Sequence, residues 1–209
     1  MYPDQQLANK QGINNILNNR SVTAVALIML FKKGKSYMEK VDYMEVAQKV
    51  MAQIRNKGGA FLTAQAGDDI NTMTIGWASF GFLWGRPMLT VMVRKTRHTF
   101  GIIERAKDFT MSVPMSGMAR QLEFCGTKTG RNHKKIEECG LEIMPSIKVH
   151  TPIVLVPGIQ FECKIVYKSA IEPASLIEEY KHLYPENDFH TLYYGEIKDC
   201  YSTKDEKRK

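Results

Sequence analysis

Apolar residues recur at helical spacing in one early segment of the chain and at alternating spacing through most of the rest. Between positions 43 and 54 they lie three or four residues apart, as in a helix with one buried face. The members of this stripe are Tyr43, Val46, Ala47, Val50, Met51 and Ile54. The glycines of "NKGG" (56–59) then end the helix. The pattern predicts one amphipathic helix ahead of a region of strands.

Six later segments alternate apolar and polar residues or are almost wholly apolar, which is typical of β-strands. They are AFLTAQA (60–66), TMTIGWASFGFLW (72–84), MLTVMVR (88–94), FTMSVP (109–114), GIQFECKIVYKSAI (158–171) and FHTLYYGEIKDCYS (189–202). Short helices are predicted in TFGIIERAKD (99–108), MARQLEFCG (118–126), NHKKIEECG (132–140) and SLIEEYKHLYP (175–185). Medium strands, short helices and Gly or Pro turns favour a mainly β (α+β) fold, a closed barrel with helical insertions.

The first 40 residues differ from the rest, and we expect them to be an N-terminal extension outside a domain at 41–203. Their apolar run SVTAVALIMLF (21–31) is shorter than the roughly 20 residues that cross a bilayer. The KKGK that follows offers no cleavage site, so neither a membrane span nor export is expected. Residues 1–37 would be either translated leader sequence before a start at Met38 or a helix that packs on a partner.

The net charge of +7 lies mainly at the two ends of the chain. Residues 1–40 hold six basic and two acidic residues, and the basic tail 204–209 holds four basic and two acidic residues. The body from 41 to 203 is therefore nearly neutral. A nucleic-acid-binding face is not expected on such a body, and solvated ends are the simpler interpretation.

Cysteines and histidines are too scattered to form a recognisable metal site. The cysteines are Cys125, Cys139, Cys163 and Cys200, with no Cys-x-x-Cys pair. We therefore expect no metal, and we expect buried, reduced thiols in a cytoplasmic protein. Dinucleotide-binding glycine motifs, phosphate-binding P-loops and the Gly-x-Ser-x-Gly elbow are also absent from the sequence.

Three segments carry side chains suited to binding. RKTRHT (94–99) supplies cationic and hydroxyl donors where a strand meets a helix, which suits a phosphate, or it is a solvated turn. CGTKTGR (125–131) places glycines around polar donors, or it is an ordinary loop. NDFHTLYYGE (187–196) begins a strand with His190, which is either a chemical group or a structural hydrogen-bonding partner.

Taken together, these segments resemble the flavin reductase family, in its flavoredoxin-like branch of the FMN-binding split barrels. The matching residues are Gly67, Asn71, Met73, Thr74, Trp77, Ser79, Pro87, Arg97, Thr99 and Phe109. CGTKTGRNHKKIEECGL and HTLYYGEI resemble two further segments of the family, so the likeness covers about residues 41–203. The sequence departs from the usual residues at Lys95, Thr96, His98 and Ser112.

The resemblance implies a homodimeric, six-stranded antiparallel split β-barrel with short helices that holds FMN in a cleft at the subunit interface. It implies a phosphate site at Arg97, Thr99 and Thr96, with Arg94 and His98 beside it. The flavin ring would run along Asn71, Thr72, Met73, Thr74, Trp77 and Ser79. A loop of Thr127, Lys128, Gly130 and Arg131, from the same or the partner subunit, would close over the cofactor. His190, the expected catalytic residue, would lie on the nicotinamide or substrate side.

The function that the resemblance implies is that of an NAD(P)H-dependent flavin reductase or flavoredoxin-like oxidoreductase. Such a protein passes hydride from NADH or NADPH to N5 of FMN and on to a small-molecule or protein acceptor. This chemistry needs positioning of two rings rather than a protein nucleophile. Two alternatives stay open: a non-enzymatic FMN electron carrier reduced by a partner protein, and a barrel without flavin that binds a partner or polyanion through its basic ends.

Overall fold

The computed structural model describes residues 36–205. Its main sheet has eight antiparallel strands: β1 (Ser36–Lys40), β2 (Ala60–Ala66), β3 (Asp69–Ile75), β4 (Ala78–Leu83), β5 (Arg86–Arg94), β6 (Asp108–Pro114), β9 (Gly158–Ala170) and β10 (His190–Asp205). Two short strands, β7 (Ile143–Met144) and β8 (Ile153–Val154), pair separately. The helices are α1 (Tyr43–Asn56), α2 (His98–Ile103), α3 (Ala119–Thr127), α4 (Lys135–Glu138) and α5 (Glu178–Lys181), with a 3-10 turn at Pro173–Ser175.

Helix α1 forms where the apolar stripe predicts it. Asp42 caps its start, since the carboxylate accepts a hydrogen bond of 2.7 Å from the amide of Met44. Val46, Val50 and Ile54 are buried and belong to the main core. The helix thereby packs against the sheet, where it contacts β4 and β6.

A two-residue connection forces the sheet to curl. The strands are ordered β3-β2-β6-β9-β10-β5-β4, with β1 beside β10, so β3 and β4 lie at opposite ends of this order. Only Gly76 and Trp77 connect them, and so short a link reaches roughly 10 Å. The two ends must therefore lie close together, and β3 indeed contacts β5. The predicted fold class, an antiparallel split barrel with short helices, is confirmed.

The sheet has two more strands than the six predicted. The segment 72–84, predicted as one strand, is interrupted at Gly76 and Trp77, because its halves pair with different partners. The other added strand is β1, which pairs with β10 from Ser36 opposite Asp205 to Lys40 opposite Tyr201. Residues 36–40 were expected to lie in an extension, yet they are part of the sheet. The expectations for residues 1–35 and 206–209 concern residues outside the described range.

Strand β9 is buried on both faces only in its first half. There Glu162 accepts hydrogen bonds from the Ile147 amide (2.8 Å) and the Tyr201 hydroxyl (2.7 Å), which fasten the preceding loop over the outer face. The second half lies in solvent, with Val166 and Tyr167 exposed. The apolar alternation predicted from residue 159 to residue 167 is therefore a core face only at its beginning.

The four cysteines are free thiols, as expected from their scattered positions. Cys125, Cys163 and Cys200 are buried, and Cys139 is half-buried. The cytoplasmic location inferred from them stays a prediction. Within residues 36–205, no helix combines the length and apolar character that crossing a membrane would need.

Candidate functional site

The candidate site lies at the end of the barrel where β5 ends and β10 begins. His190 and Arg94 are directly opposite each other in this ladder. Two adjoining cavities open there, and both are lined by Met73 and Arg97. We call them the strand groove, of about 200 Å³, and the loop pocket, of about 270 Å³.

The loop pocket joins two segments that are far apart in sequence. It is lined by Met73, Thr96, Arg97, His98, Thr99, Cys125, Gly126, Thr127, Lys128, Thr129, Gly130, Arg131, Asn132 and Lys135. Arg131 donates a hydrogen bond of 3.1 Å to the carbonyl of Thr96 and so fastens one segment to the other. A Cβ on Gly130 would lie 2.6 Å from Cδ2 of His98 and 2.7 Å from Oδ1 of Asn71, so only glycine allows this approach.

The loop pocket is strongly cationic. Arg97, Lys128, Arg131 and Lys135 line it, and its lining contains no acidic residue. Lys135 is 5% exposed, and its Nζ donates a hydrogen bond of 2.8 Å to the carbonyl of Cys125. Burial lowers the pKa of Lys135, because desolvation disfavours the ammonium form. A buried lysine among unpaired cations is suited to binding an anion.

Lys135 was missed by the sequence analysis. In the sequence, Lys135 is one of two adjacent lysines in NHKKIEECG. Such a pair is typical of the solvent-exposed face of a helix. Asn132, Met92 and Gly76 also line the two cavities without having been predicted. These residues reach the cavities because the sheet curls. The pattern of apolar and polar residues within one segment does not predict that curling.

The strand groove combines apolar, aromatic and cationic groups. Its lining consists of Met73, Thr74, Ile75, Gly76, Trp77, Met92, Arg94, Arg97 and His190. The ring centroids of Trp77 and His190 are 4.8 Å apart, and Trp77 is 39% exposed. An exposed indole beside apolar side chains offers a surface on which a flat ring can stack.

His190 is held by its surroundings as a neutral imidazole. Its Nδ1 and the hydroxyl of Tyr184 share a hydrogen bond of 2.9 Å. Burial, followed by the positive charge of Arg94, lowers the pKa of His190 to about 4. His98 has a lowered pKa as well, because of burial and the charges of Arg131 and Lys135. Burial and neighbouring positive charges therefore favour the neutral form of both imidazoles.

Arg94 has a different position from the one expected for a phosphate ligand. Its Nη1 is paired with Asp188 at 2.5 Å, and its Nη2 donates to the Leu183 carbonyl at 2.9 Å. Its guanidinium also lies over the Tyr184 ring, 4.9 Å from the centroid. Arg94 lines the strand groove and fastens the segment that carries His190, so its charge is already balanced.

Most of the predicted site residues meet at these two cavities. Those that line one or both are Met73, Thr74, Trp77, Arg94, Thr96, Arg97, His98, Thr99, Thr127, Lys128, Gly130, Arg131 and His190. The group is assembled from four separate parts of the chain: 73–77, 94–99, 127–131 and residue 190. This convergence is what the resemblance implies and what no single segment predicts.

Asn71, Thr72 and Ser79 line neither cavity. Asn71 is buried and donates a hydrogen bond of 2.7 Å to Oγ1 of Thr99, so it supports the start of α2 from behind. The Thr72 hydroxyl bonds to the hydroxyl of Thr63 and the carbonyl of Leu62, within the sheet. Ser79 is exposed on β4. Strand alternation turns Thr72 to the face opposite to Met73, whereas Asn71 is on the Met73 face and lies close against Gly130. Ligand contact by these three residues stays a prediction.

No cluster of three His, Cys, Asp or Glu side chains that would suit a metal ion occurs among residues 36–205.

Comparison with known proteins identifies the family. A family model described as "Flavin reductase like domain" matches residues 56–209. The chain belongs to this family, and the resemblance seen in its sequence is confirmed. An uncharacterized protein of Pyrococcus abyssi is 29% identical over 99 residues, which are 47% of this chain. The chain spans about half the length of that relative, since the match covers 56% of it.

Solved structures with the same fold include two flavoredoxins. Flavoredoxin of Desulfovibrio vulgaris (Miyazaki F) is 25% identical with a TM-score of 0.55, over 68% of each chain. Flavoredoxin of Methanosarcina acetivorans is 26% identical with a TM-score of 0.53, over 68% of this chain and 67% of that one. An FMN-binding domain of a flavin reductases-like enzyme from Shewanella baltica has a TM-score of 0.58 at 19% identity, over 81% of this chain and 78% of its own.

The lowered pKa of His190 predicts a pH dependence of stability. Because folding lowers this pKa from 6.5 to about 4, the unfolded chain binds the proton more readily. The contribution of His190 to the free energy of unfolding is therefore complete above about pH 6.5 and is lost as the pH falls towards 4. Urea unfolding between pH 4 and 7 measures this slope, and His190→Gln should flatten it. An NMR titration midpoint of His190 near 6.5 would contradict the assignment.

Proposed function

We propose that this chain binds FMN across the strand groove and the loop pocket, and that it is an oxidoreductase using NADH or NADPH. One observation carries the proposal: a groove with the Trp77 ring and the Met73 side chain in its wall adjoins a pocket lined by four cationic side chains, and Arg97 lines both. FMN has the matching polarity, since a flat ring system is linked to a phosphate. The similarity to flavoredoxins supports the same assignment.

The residues present fit this cofactor. A phosphate needs charge-assisted donors, and Arg97, Arg131 and Lys135 supply them in a pocket without lining carboxylates. Thr99 adds a hydroxyl that Asn71 already orients. Gly130 lies close to His98, so the backbone of the loop at 127–131 can approach a phosphate bound in the loop pocket.

Around the ring, the protein would provide position and a defined charge state. Met73 and Trp77 would form apolar walls that exclude water. His190 would contribute an uncharged imidazole, fixed by Tyr184, at the groove. FMN, when bound, supplies an N5 atom that accepts hydride from a nicotinamide. Positioning two rings against each other is a proximity effect and requires no nucleophile from the chain.

Arg97→Ala should weaken FMN binding about tenfold or more, because it removes a charge-assisted contact from both cavities. Fluorescence titration of FMN into the flavin-free protein measures the change. Arg55→Ala is the matched control, since Arg55 is an exposed arginine at the end of α1. An unchanged FMN affinity in Arg97→Ala would refute the placement of the phosphate.

Anaerobic mixing of the FMN complex with NADH or NADPH tests the oxidoreductase activity. We expect bleaching of the flavin absorbance with at least one of the two nucleotides. His190→Gln should keep FMN bound but slow the bleaching, since His190 lines the strand groove rather than the loop pocket. His182→Gln, an exposed histidine outside both cavities, is the control.

Failure of both nucleotides to bleach bound flavin would reject the reductase in favour of an electron carrier reduced by a partner protein. Loss of FMN from His190→Gln would instead show that His190 has a cofactor-binding role. Purified protein that takes up no FMN at all would favour a barrel without flavin.

We also propose that the chain forms a homodimer through an apolar surface beside the β4–β5 turn. Phe82 and Trp84 are 67% and 68% exposed, and Val166 and Tyr167 of β9 are exposed as well. Trp84 and Gly85, with φ of 53° and 68°, form the tight two-residue turn between β4 and β5. Contiguous exposed apolar side chains of this kind mark interaction surfaces in soluble proteins.

Light scattering should give about twice the chain mass of 23.8 kDa for the wild type. Phe82→Glu should shift the protein towards the monomer, because it places a charge in the apolar surface. Ile177→Glu, which alters another exposed apolar residue, should leave the mass unchanged. A monomeric wild type would rule out the proposed dimer.

A further inference from the structure

Tyr184 contacts His190 but does not line the strand groove itself. Its hydroxyl and Nδ1 of His190 share a buried hydrogen bond of 2.9 Å. Tyr184 is 5% exposed, and it belongs to the lining of neither the strand groove nor the loop pocket. His190 does line the strand groove. Of the two hydrogen-bonded side chains, only the imidazole therefore reaches the groove.

The ring of Tyr184 is fixed by its neighbours. It stacks on Phe189, with the ring centroids 4.7 Å apart and an angle of 28° between the planes. The Arg94 guanidinium lies over its ring. Arg94 also donates a hydrogen bond to the carbonyl of Leu183, the residue before Tyr184. The tyrosine hydroxyl is therefore held at a defined place beside His190.

The hydrogen bond between these side chains is best satisfied when Tyr184 donates it. Burial raises the pKa of Tyr184, so the hydroxyl keeps its proton near neutral pH. If Nδ1 of His190 donated instead, the hydroxyl proton would need another acceptor. Within residues 36–205, the hydroxyl has no other hydrogen-bond partner. Because an unpaired buried donor costs free energy, the arrangement with Tyr184 as the donor is favoured.

The second ring nitrogen of His190, Nε2, is open to the groove. Nε2 has no hydrogen-bond partner within residues 36–205, where the polar side-chain atoms both buried and unpaired are Oγ of Ser112 and Oε1 of Gln160. Nε2 is therefore accessible, and the cavity that His190 lines is the strand groove. A neutral imidazole that accepts a hydrogen bond at Nδ1 carries its own proton at Nε2.

We propose that Tyr184 is a positioning residue that makes His190 a neutral hydrogen-bond donor to the substrate in the strand groove. The Tyr184 hydroxyl donates to Nδ1, and Nε2–H donates to a carbonyl oxygen of the substrate. The proposal rests on the proposed function, which brings a nicotinamide to the flavin ring. The carboxamide oxygen of a nicotinamide is an acceptor of the required kind. In the other tautomer Nε2 would be an acceptor itself and would disfavour that oxygen.

Nitrogen NMR of histidine-labelled, flavin-free protein tests the tautomer directly. The spectrum shows which ring nitrogen of His190 carries the proton. We expect a single tautomer with the proton on Nε2 in the wild type. Tyr184→Phe, which keeps the ring that stacks on Phe189, should give a mixture of the two tautomers because Nδ1 loses its donor.

Kinetics of the FMN complex test the consequence for the substrate. In anaerobic mixing with NADH or NADPH, Tyr184→Phe should slow the bleaching of the flavin about threefold to tenfold. The FMN dissociation constant should change less than about twofold, because Tyr184 lines neither cavity. In the His190→Gln background, the same substitution should cause no further slowing, since Tyr184 acts through His190.

Tyr180→Phe is the matched control, since it removes the hydroxyl of a tyrosine that is 48% exposed in α5 and lines neither cavity. It should leave the His190 spectrum, the FMN affinity and the bleaching rate unchanged. Equal slowing by Tyr184→Phe with and without His190 would show a merely structural role and overturn the proposal. An unchanged His190 spectrum or an unchanged bleaching rate in Tyr184→Phe would overturn it as well.

The wild-type spectrum separates this proposal from the proposed function and depends on no variant. A wild type that binds FMN and is bleached, but carries the His190 proton on Nδ1, refutes the role of Tyr184 alone. A wild type that binds no FMN refutes the proposed function, and with it the hydrogen bond from Nε2 to a substrate.

Discussion

The link of Gly76 and Trp77 is the constraint on which the rest of the structure depends. It joins strands at opposite ends of the sheet order, so the sheet has to curl until those ends meet. Curling brings the end of β3 beside the end of β5, and Trp77 is left partly exposed at their junction. The strand groove exists because of this closure.

The arginines of the site differ in whether a carboxylate balances their charge. Among the residues that the structure describes, Asp188 balances the positive charge of Arg94, whereas no carboxylate forms an ion pair with Arg97 or Arg131. Arg94 anchors the segment that carries His190 through its bonds to Asp188 and Leu183. Arg97 and Arg131 instead line the loop pocket. Lys135 adds a further cation, since its buried ammonium group donates a hydrogen bond to the Cys125 carbonyl rather than to a carboxylate. The region is therefore prepared for an anion that the protein does not itself supply.

The spacing of apolar residues within each segment predicts most helices and strands of this fold, but it predicts less well which strands pair with one another. The apolar stripe that ends at Ile54 predicts α1, and the alternation of apolar and polar residues predicts most of the strands. The break at Gly76 was not predicted, because pairing partners are set by the whole sheet. Strand β1 was missed because a short edge strand has no apolar run. In the site, resemblance located Arg97 and His190, whereas Lys135 becomes visible only when α4 packs against the cavity.

A crystal structure of the FMN complex tests the central claim most directly. The account predicts the phosphate in the loop pocket, within hydrogen-bond distance of Arg97 and Thr99, and the flavin ring in the strand groove beside Trp77. A phosphate bound elsewhere, or a flavin ring outside the strand groove, would contradict it.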